Sequence, residues 1–442
     1  MARFCVLGSG IAGLSVAYYL KKYNTTAEVI ILEEKSISGG VIESGSLGDC
    51  VVEWGPRGIR TKGNGQLVLE MVEDLGLWDE IVFADDKAKK RYLYHDNKLQ
   101  VLPHSFFSFI RSPYLVLFVK AMFKDLSAEK VEVDETIAEF TDRHFGEEFR
   151  DLFFDSMVSG IWAGDVSKMS ISATLPLLKK LESKKGSILK ALFTYKSASK
   201  NTKVFPKEVT SKALFSFKNG VQVLVNKLKE ALGDSIVYNC KITSIDHQNS
   251  MLVCEDGSSY SYDTLISTIP AYRLSAFVSQ EMAADLNSIN YSPVGILNIK
   301  FDKAQLNFDG FGFLVPSREK SVVLGMVANS NTFPIHGSNT SHVNTVMLGG
   351  ARYTYDQLRA MDLKQESAVF LEKVFGLSLK IEQQELRLLE NAIPQYEIGH
   401  LDKVLRISNA APNNLIVLGN FMYGVSIIDI ITKSKDYAES IN

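Results

Sequence analysis

The 442-residue sequence contains few cysteines and no strong excess of either charge. Its thiols are limited to Cys5, Cys50, Cys240 and Cys254, without a CxxC motif or a paired Cys/His spacing. This pattern argues against a zinc site or a disulfide framework, and it predicts reduced thiols. A net charge of -3 gives the chain no bulk affinity for nucleic acid, so no nucleic-acid partner is expected.

Long apolar runs are also missing. The longest, residues 114–123, is interrupted by Lys120 and falls well short of the roughly 20 residues that span a bilayer. The N-terminus lacks the apolar core and cleavage site of a signal peptide, so we expect a cytoplasmic protein. With 46% hydrophobic residues and no repeats, the length predicts two or three folded units that share interfaces.

The N-terminal residues combine an apolar strand, a glycine-rich corner, a helix and a second strand that ends in acid. In GSGIAG, Gly8 permits the tight turn, Gly10 admits a pyrophosphate, and Gly13 lets the helix pack on the strand. Glu33 follows at the distance suited to ribose hydroxyls. The combination predicts a dinucleotide site, while the choice between NAD and FAD stays open at this point.

Two further segments contain glycine where a backbone could approach a ligand. Gly39 and Gly40 could approach the phosphates from the opposite side, although Ser-Gly-Gly is also common turn chemistry. Residues 53–60, EWGPRGIR, place a Gly-Pro corner before two arginines. This stretch is compatible with an exposed turn, a pocket for an acidic ligand, or part of a cofactor cradle.

Twelve segments follow one another at intervals that match a known family. They are GSGIAGLSVAYYL, SGGVIES, EWGPRGIR, KRYLYHDNKLQVLP, DETIAEFTDRHFG, SGIWAGDVSKMSI, FSFKNGVQVLVNKL, ISTIP, GFGFLVPS, VMLGG, IPQYEIGH and GNFMYGV. Together they resemble protoporphyrinogen oxidase, and the GPRGIR form resembles the branch found with animal enzymes. The resemblance implies oxidation of protoporphyrinogen IX in heme synthesis by three hydride transfers to N5 of noncovalent FAD, with oxygen as electron acceptor.

The resemblance also implies an α/β fold in three parts. A discontinuous Rossmann-type FAD-binding domain is expected from residues 1–90, 205–286 and 386–442. Residues 91–204 are expected to form a helical membrane-associating region, and residues 287–385 a mixed-sheet substrate-binding domain. Alternation of apolar and polar residues within this last range favours an antiparallel sheet.

For the flavin, the resemblance implies contacts from glycine turns, two acids and one strand. The predicted cofactor-binding residues are Gly8, Ser9, Gly10, Ile11, Ala12, Gly13, Glu33, Glu34, Gly40, Val41, Gly55, Pro56, Arg57, Gly58, Ile242, Gly424, Val425 and Ser426. The chain departs from its relatives near the second glycine pair, where Ile37 and Glu43 replace bases, and at Ile430, which replaces a cysteine. These departures put the detailed flavin contacts in doubt.

For the substrate, the resemblance places Phe311 and Leu314 on the two sides of a pyrrole and Met347 beside them. Arg91 would pair with a propionate, and the backbone of Gly160 would approach the macrocycle. The alternatives are a solvated charge for Arg91, a helix end for Gly160 and ordinary core for the others. No catalytic acid or base and no metal site is predicted, because the flavin supplies the chemistry.

Two segments favour association with a membrane surface. Residues 104–126 contain five phenylalanines and a tyrosine among scattered bases, and residues 178–203 contain eight lysines and one glutamate. Such mixtures suit anionic headgroups, although a buried helix with a solvated lysine face fits equally well. Because the family associates peripherally with membranes, we expect a peripheral protein on the inner face of the cell membrane. Its expected protein partners are a second copy of the chain, in a homodimer, and a downstream chelatase.

Three alternative functions remain at the level of sequence. Coproporphyrinogen III is the nearest rival substrate. Amine oxidases and carotenoid desaturases share the pattern of the first eighty residues but lack GFGFLVPS and SGIWAG. A flavin-fold protein that only binds and hands on porphyrin is the alternative from another class.

Overall fold

The computed structural model describes residues 2–103, 106–192, 203, 205–306 and 308–441. Its strands are β1 (Arg3–Leu7), β2 (Glu28–Leu32), β3 (Ser44–Leu47), β4 (Cys50–Glu53), β5 (Ile59–Arg60), β6 (Ile81–Phe83), β7 (Tyr92–His95), β8 (Lys98–Val101), β9 (Leu214–Phe217), β10 (Ile236–Val237), β11 (Ile242–Asp246), β12 (Met251–Cys254), β13 (Ser259–Ser261), β14 (Thr264–Ser267), β15 (Tyr291–Asp302), β16 (Gly312–Leu314), β17 (Val323–Val327), β18 (Ser341–Gly349), β19 (Ile381–Pro394) and β20 (Leu415–Val417).

The α-helices alternate with these strands in the first and last parts of the chain and follow one another in the middle. They are α1 (Ile11–Tyr23), α2 (Gly65–Asp74), α3 (Phe106–Ile110), α4 (Leu115–Leu126), α5 (Ile137–His144), α6 (Glu147–Phe149), α7 (Asp155–Trp162), α8 (Ile171–Thr174), α9 (Pro176–Lys185), α10 (Ile188–Leu192), α11 (Lys207–Thr210), α12 (Gln222–Leu232), α13 (Ala271–Leu274), α14 (Gln280–Asn287), α15 (Asn329–Thr332), α16 (Tyr355–Ala360), α17 (Leu363–Phe375), α18 (His400–Ala410), α19 (Asn420–Tyr423) and α20 (Ile427–Ser440).

A parallel five-stranded sheet contains the N-terminal βαβ unit. Its strand order is β10-β2-β1-β14-β20, and every neighbouring pair is parallel. Apolar residues of α1, α12 and α20 form a core on one face, and residues of α13, α14 and α18 pack on the other. Two covered faces account for the continuous apolar strands of the sequence, and the βαβ unit that the sequence predicts is present in this sheet.

A seven-stranded mixed sheet forms the second large unit. Its order is β19-β15-β18-β17-β16-β7-β8, and only the β16–β7 pair within it is parallel. The antiparallel sheet that alternation predicts is therefore present, in its β15–β18 pairing. β19 pairs along its length with β15, which places residues 386–394 here although the predicted division gives them to the flavin part. β7 and β8 join the sheet too, because β7 pairs with β16.

Helices α5 and α7 to α10 contribute to a small apolar core that includes Phe140, and α4 packs against α5 and α10. Inside this region the carboxylates of Asp125 and Glu182 approach His144 at 2.6 and 3.4 Å. Lys179 also forms an ion pair with Glu182, at 2.9 Å, so the charge of this lysine of the basic segment is paired within the protein. Among the described residues, no helix combines the length and apolarity needed to cross a bilayer.

One prediction about the cysteines is wrong. Cys240 and Cys254 form a disulfide, whereas Cys5 and Cys50 are free and buried. Both bonded cysteines flank the β11–β12 hairpin, which brings their Cα atoms to 5.8 Å, within the range that a disulfide spans. The pairing depends on strand register, which the spacing of cysteines in the sequence does not reveal.

Candidate active site

The glycine-rich loop between β1 and α1 has the shape that the sequence predicts. Gly8 adopts a φ of +91°, a region that favours glycine. A Cβ on Gly13 would lie 1.9 Å from the carbonyl oxygen of Gly8, so the helix approaches the strand as only glycine allows. A Cβ on Gly10 would instead lie at ordinary contact distance, 3.9 Å, from the Cα of Gly40, so the glycine pair packs against the start of α1.

The acid at the end of β2 is held against this loop. Glu33 accepts hydrogen bonds from the backbone N–H and the hydroxyl of Ser9, both at 2.7 Å. Glu34 is exposed and lies 3.8 Å from Arg273, so only the first of the two predicted acids contacts the loop. The strand of Ile242 reaches the same edge, because the backbone N–H of Cys240 donates to the carbonyl of Glu33 at 2.9 Å.

The second glycine pair and the GPRG stretch lie next to the glycine-rich loop. Gly39 forms a backbone bridge with Gly10. A Cβ on Gly55 would lie 2.1 Å from the carbonyl oxygen of Val41, so the Gly-Pro corner packs directly on the turn after the glycine pair. The structure thereby brings together three separate predicted cofactor segments, residues 8–13, 39–41 and 55–58.

The C-terminal turn lies at the start of α20. Gly424 has a φ of +127°, and the hydroxyl of Ser426 accepts from the backbone N–H of Asp429, which caps the helix. α20 is anchored on α1 through the hydroxyl of Ser434, which donates to the carbonyl of Ala12 at 3.4 Å. The predicted turn 424–426 is therefore supported by the helix that carries the glycine-rich loop.

These segments fit FAD. Gly10 and Gly40 approach each other so closely that a Cβ on Gly40 would lie 3.3 Å from the Cα of Gly10, and an acid suited to a ribose, Glu33, is bonded to Ser9 beside them. The N-terminus of α1 offers backbone N–H groups to a pyrophosphate. Side chains at the glycines would fill this cradle, so their absence is what a close approach of the cofactor requires.

The predicted substrate residues, here called the substrate wall, lie on or beside the seven-stranded sheet: Leu314 in β16, Met347 in β18, Arg91 and Phe311 directly before β7 and β16, and Gly160 on α7. A Cβ on Gly160 would lie 2.4 Å from the side chain of Leu314, so helix α7 lies directly on β16. The guanidinium of Arg91 lies over the ring of Phe311, 5.2 Å from its centroid. β16 and β7 are parallel neighbours, so Phe311 and Arg91, which directly precede these two strands, lie close together.

Arg57 links the substrate wall to the cofactor cradle. Its Nη1 and Nη2 atoms lie 3.9 and 3.8 Å from the sulfur of Met347, a predicted substrate residue. Burial lowers the pKa of Arg57 to about 10, partly offset by Glu53, so the guanidinium stays charged at neutral pH. Burial also raises the pKa of Glu53 to about 7, although hydrogen bonds from Ser44 and Val221 oppose the shift.

Two residues of the site are absent from the predictions. Phe333 lies 3.4 Å from where a Cβ on Gly58 would stand, and it clusters with Phe311 between the cradle and the wall. Tyr396 accepts a hydrogen bond from the backbone N–H of Gly424 at 2.8 Å. IPQY is among the matched segments, but neither residue has a local signal for its contact.

A family model described as flavin containing amine oxidoreductase matches residues 11–392. Among curated relatives, the protoporphyrinogen oxidase of Dictyostelium discoideum is 30% identical over 526 residues, covering 99% of this chain and 98% of that protein. The human protoporphyrinogen oxidase is 30% identical over 467 residues, covering 99% of this chain and 97% of its own length.

Solved structures of low identity share the fold. A candidate protoporphyrinogen oxidase from Exiguobacterium sp. 255-15 superposes with a TM-score of 0.85 at 20% identity, covering 100% of this chain and 98% of that one. A redesigned putrescine oxidase gives a TM-score of 0.73 at 11% identity, with 100% and 98% covered. The flavin amine-oxidase-like fold is therefore common to proteins with different substrates.

Proposed function

Since the chain belongs to the flavin-containing amine oxidoreductases and, among them, to the protoporphyrinogen oxidases, we propose that it oxidises protoporphyrinogen IX to protoporphyrin IX in heme biosynthesis. The observation that supports this most directly is the contact of Arg57 with Met347, which makes the cofactor cradle and the substrate wall continuous. A large flat substrate on that wall would lie beside the flavin.

When bound, FAD supplies the hydride acceptor, and oxygen serves as the final electron acceptor in three successive two-electron oxidations. The protein's own residues bind and orient the substrate. Leu314, Phe311 and Met347 offer apolar surface to a macrocycle, and Gly160 keeps α7 close to that surface. Arg91 and Arg57 offer positive charge to the substrate's carboxylates.

The decisive experiment compares aerobic turnover of protoporphyrinogen IX and coproporphyrinogen III by the purified protein, followed through porphyrin fluorescence. We expect yellow protein with noncovalent FAD and a preference for protoporphyrinogen IX. Faster turnover of coproporphyrinogen III would assign the chain to the rival substrate. Colourless protein that stays inactive with added FAD would overturn the oxidase and favour the porphyrin-binding alternative.

Arg91→Ala tests the proposed propionate contact. Arg91 is exposed at the end of the substrate wall and stacks on Phe311, so its loss should weaken substrate binding without touching the cradle. We expect KM to rise about tenfold, corresponding to about 1.4 kcal/mol, with flavin content unchanged. Steady-state kinetics with absorbance at the flavin maximum measures both.

Lys89→Ala is the matched control for Arg91, since Lys89 is an exposed base of the same KAKKR run and pairs at 2.9 Å with Asp86. It should leave KM within about twofold, because exposed ion pairs contribute little. An unchanged KM in Arg91→Ala would show that Arg91 does not bind the substrate and is a solvated surface charge, the alternative that the sequence also allows.

We also propose peripheral attachment to a membrane through helices α3 and α4. Their exposed large apolar side chains are Phe107, Ile110, Val116, Val119, Met122, Phe123 and Leu126. Phe107 is 76% exposed and Phe123 70%, and Arg111, Lys120 and Lys124 are exposed on the same stretch. Apolar side chains with basic neighbours suit the headgroup region of an anionic bilayer. Residues 104–105 and 193–202 of the two predicted segments lie outside the described residues.

Replacing both Val116 and Phe123 with glutamate tests this attachment. Each substitution removes apolar area and adds a charge that anionic lipids repel, so binding to phosphatidylcholine–phosphatidylglycerol vesicles should fall at least about tenfold. Cosedimentation measures it. Val369→Glu, at a 54% exposed position on α17, is the control and should bind as the unaltered protein does. Equal loss in the control would indicate general destabilisation instead.

The proposed function extends to two protein partners. The product is a free-base tetrapyrrole, and the reaction that consumes it inserts a metal, so we propose that a chelatase receives it at the membrane surface. We also propose a homodimer, because the chain belongs to the same family. Sedimentation velocity with and without the chelatase would test both, with a monomeric, non-interacting chain as the contrary result.

A further inference from the structure

Residues 395–398 connect the helical region with the flavin part of the molecule. The backbone N–H of Ser170 donates to the carbonyl of Tyr396 at 2.8 Å, and that of Ile398 donates to the carbonyl of Lys168 at 3.1 Å. The side-chain amide of Gln395 donates to the carbonyl of Trp162 at 2.9 Å. Trp162 is the last residue of α7, two positions after Gly160, so this segment is tied to the substrate wall.

The other side of the same segment reaches the turn before α20. The hydroxyl of Tyr396 donates to the carbonyl of Asn420 and accepts from the backbone N–H of Gly424 at 2.8 Å. These two residues flank α19, so one hydroxyl spans both ends of the short helix. Among the described residues, the hydroxyl of Tyr396 is the hydrogen-bond acceptor for the backbone N–H of Gly424.

The ring of Tyr396 is itself fixed. It is 3% exposed and stacks on the imidazole of His400, with the ring centroids 4.1 Å apart and an angle of 14° between the planes. Burial lowers the pKa of His400 to about 4, so the imidazole is neutral at neutral pH and packs as an uncharged ring. Burial also raises the pKa of the Tyr396 phenol, which keeps its proton available for donation to Asn420.

We propose that Tyr396 is a positioning residue for the flavin: its hydroxyl fixes the turn 424–426, and residues 395–398 couple that turn to the substrate-facing helix α7. Gly424 has a φ of +127° and lacks a side chain, so its turn has wide conformational freedom unless a neighbour restrains it. The restraint comes from Tyr396. This inference rests on the proposed function for the identity of the cofactor, but the test of Tyr396 itself, by FAD affinity and spectrum, needs no porphyrinogen.

Tyr396→Phe removes the hydroxyl and keeps the ring that stacks on His400. Because the N–H of Gly424 loses its partner, we expect the dissociation constant of FAD to rise about tenfold and the visible flavin band to shift. Flavin fluorescence during titration of the apoprotein measures the first, and absorbance of the reconstituted protein the second. Tyr262→Phe is the control: Tyr262 is 1% exposed, with its hydroxyl 3.4 Å from His247, and should change neither readout.

Gln395→Met tests the other end of the connection. It removes the bond to Trp162 without touching Gly424, so FAD affinity should stay within about twofold. Stopped-flow reduction of the flavin by porphyrinogen should slow at least about threefold, because α7 is no longer held at a fixed position relative to the turn.

Unchanged FAD affinity and spectrum in Tyr396→Phe would overturn the positioning role of Tyr396. Should that variant fail to fold, an unchanged reduction rate in folded Gln395→Met would overturn the coupling. Inactivity of all variants and of the unaltered protein toward porphyrinogens, with the FAD effects present, would refute the proposed substrate and leave the role of Tyr396 standing.

Discussion

Gly10→Val is expected to yield folded protein that purifies without flavin. Gly10 has φ -69° and ψ 177°, a conformation that valine adopts readily, so the backbone is not strained. Its new Cβ would face Gly40 at 3.9 Å, and the two methyl groups beyond it would project into the cradle. We expect the dissociation constant of FAD to rise at least about 100-fold, corresponding to about 2.7 kcal/mol.

Flavin absorbance per protein and circular dichroism together measure this result. Gly76→Ala is the control: Gly76 has a φ of +68° and open space around its Cβ position, so the substitution costs about 1 kcal/mol of backbone strain far from the cradle. That variant should remain yellow. Stoichiometric flavin in folded Gly10→Val would show that the cofactor does not occupy the space between the two glycine segments.

Arg57→Met is expected to lower kcat/KM by about 10²–10³-fold while flavin remains bound. Among the described residues, no carboxylate lies within ion-pair distance of Arg57, and its Nη atoms contact the sulfur of Met347. Glu53 offsets only part of the desolvation of this guanidinium, and a substrate carboxylate would supply a second anion. Removing one partner of a buried charge pair costs about 2–5 kcal/mol, and the expected loss of 10²–10³-fold, about 2.7–4.1 kcal/mol, lies within that range.

Arg60→Met is the matched control within the same stretch. Arg60 is exposed and lies at the end of β5, so kcat/KM should change less than about twofold. Loss of flavin from Arg57→Met would instead support the role that the sequence predicts, a contact with the cofactor. Full activity with bound flavin would contradict both roles.

The glycine-rich loop shows how much could be predicted from local sequence. Gly8, Gly10 and Gly13 all lie within one βαβ unit, so their spacing and the nearby acid Glu33, which bonds Ser9, predict the cradle directly. The antiparallel strands β15 and β18 were predictable from the local alternation of apolar and polar residues, although most residues of both strands are buried. The twelve segments that match the family predicted the class of substrate, a porphyrinogen.

The contacts between segments were not predictable in this way. Arg57 meets Met347 across 290 positions, and Tyr396 meets Gly424 across 28, and neither residue has a neighbour in sequence that signals its partner. The Cys240–Cys254 disulfide depends similarly on the register of a hairpin. Placement of residues 386–394 in the mixed sheet depends on pairing with β15, which outweighs their proximity in sequence to the flavin turn.

By itself, therefore, the sequence determined the βαβ unit, the flavin cradle and the class of reaction. The first two follow from the spacing of nearby residues, and the class of reaction follows from the segments that match the family. Only the tertiary structure decided that Arg57 lies against Met347 and that the hydroxyl of Tyr396 accepts from the backbone N–H of Gly424. Hydrogen bonds and packing between distant segments form when sheets and helices are assembled, so their partners are set by topology and register rather than by neighbouring residues.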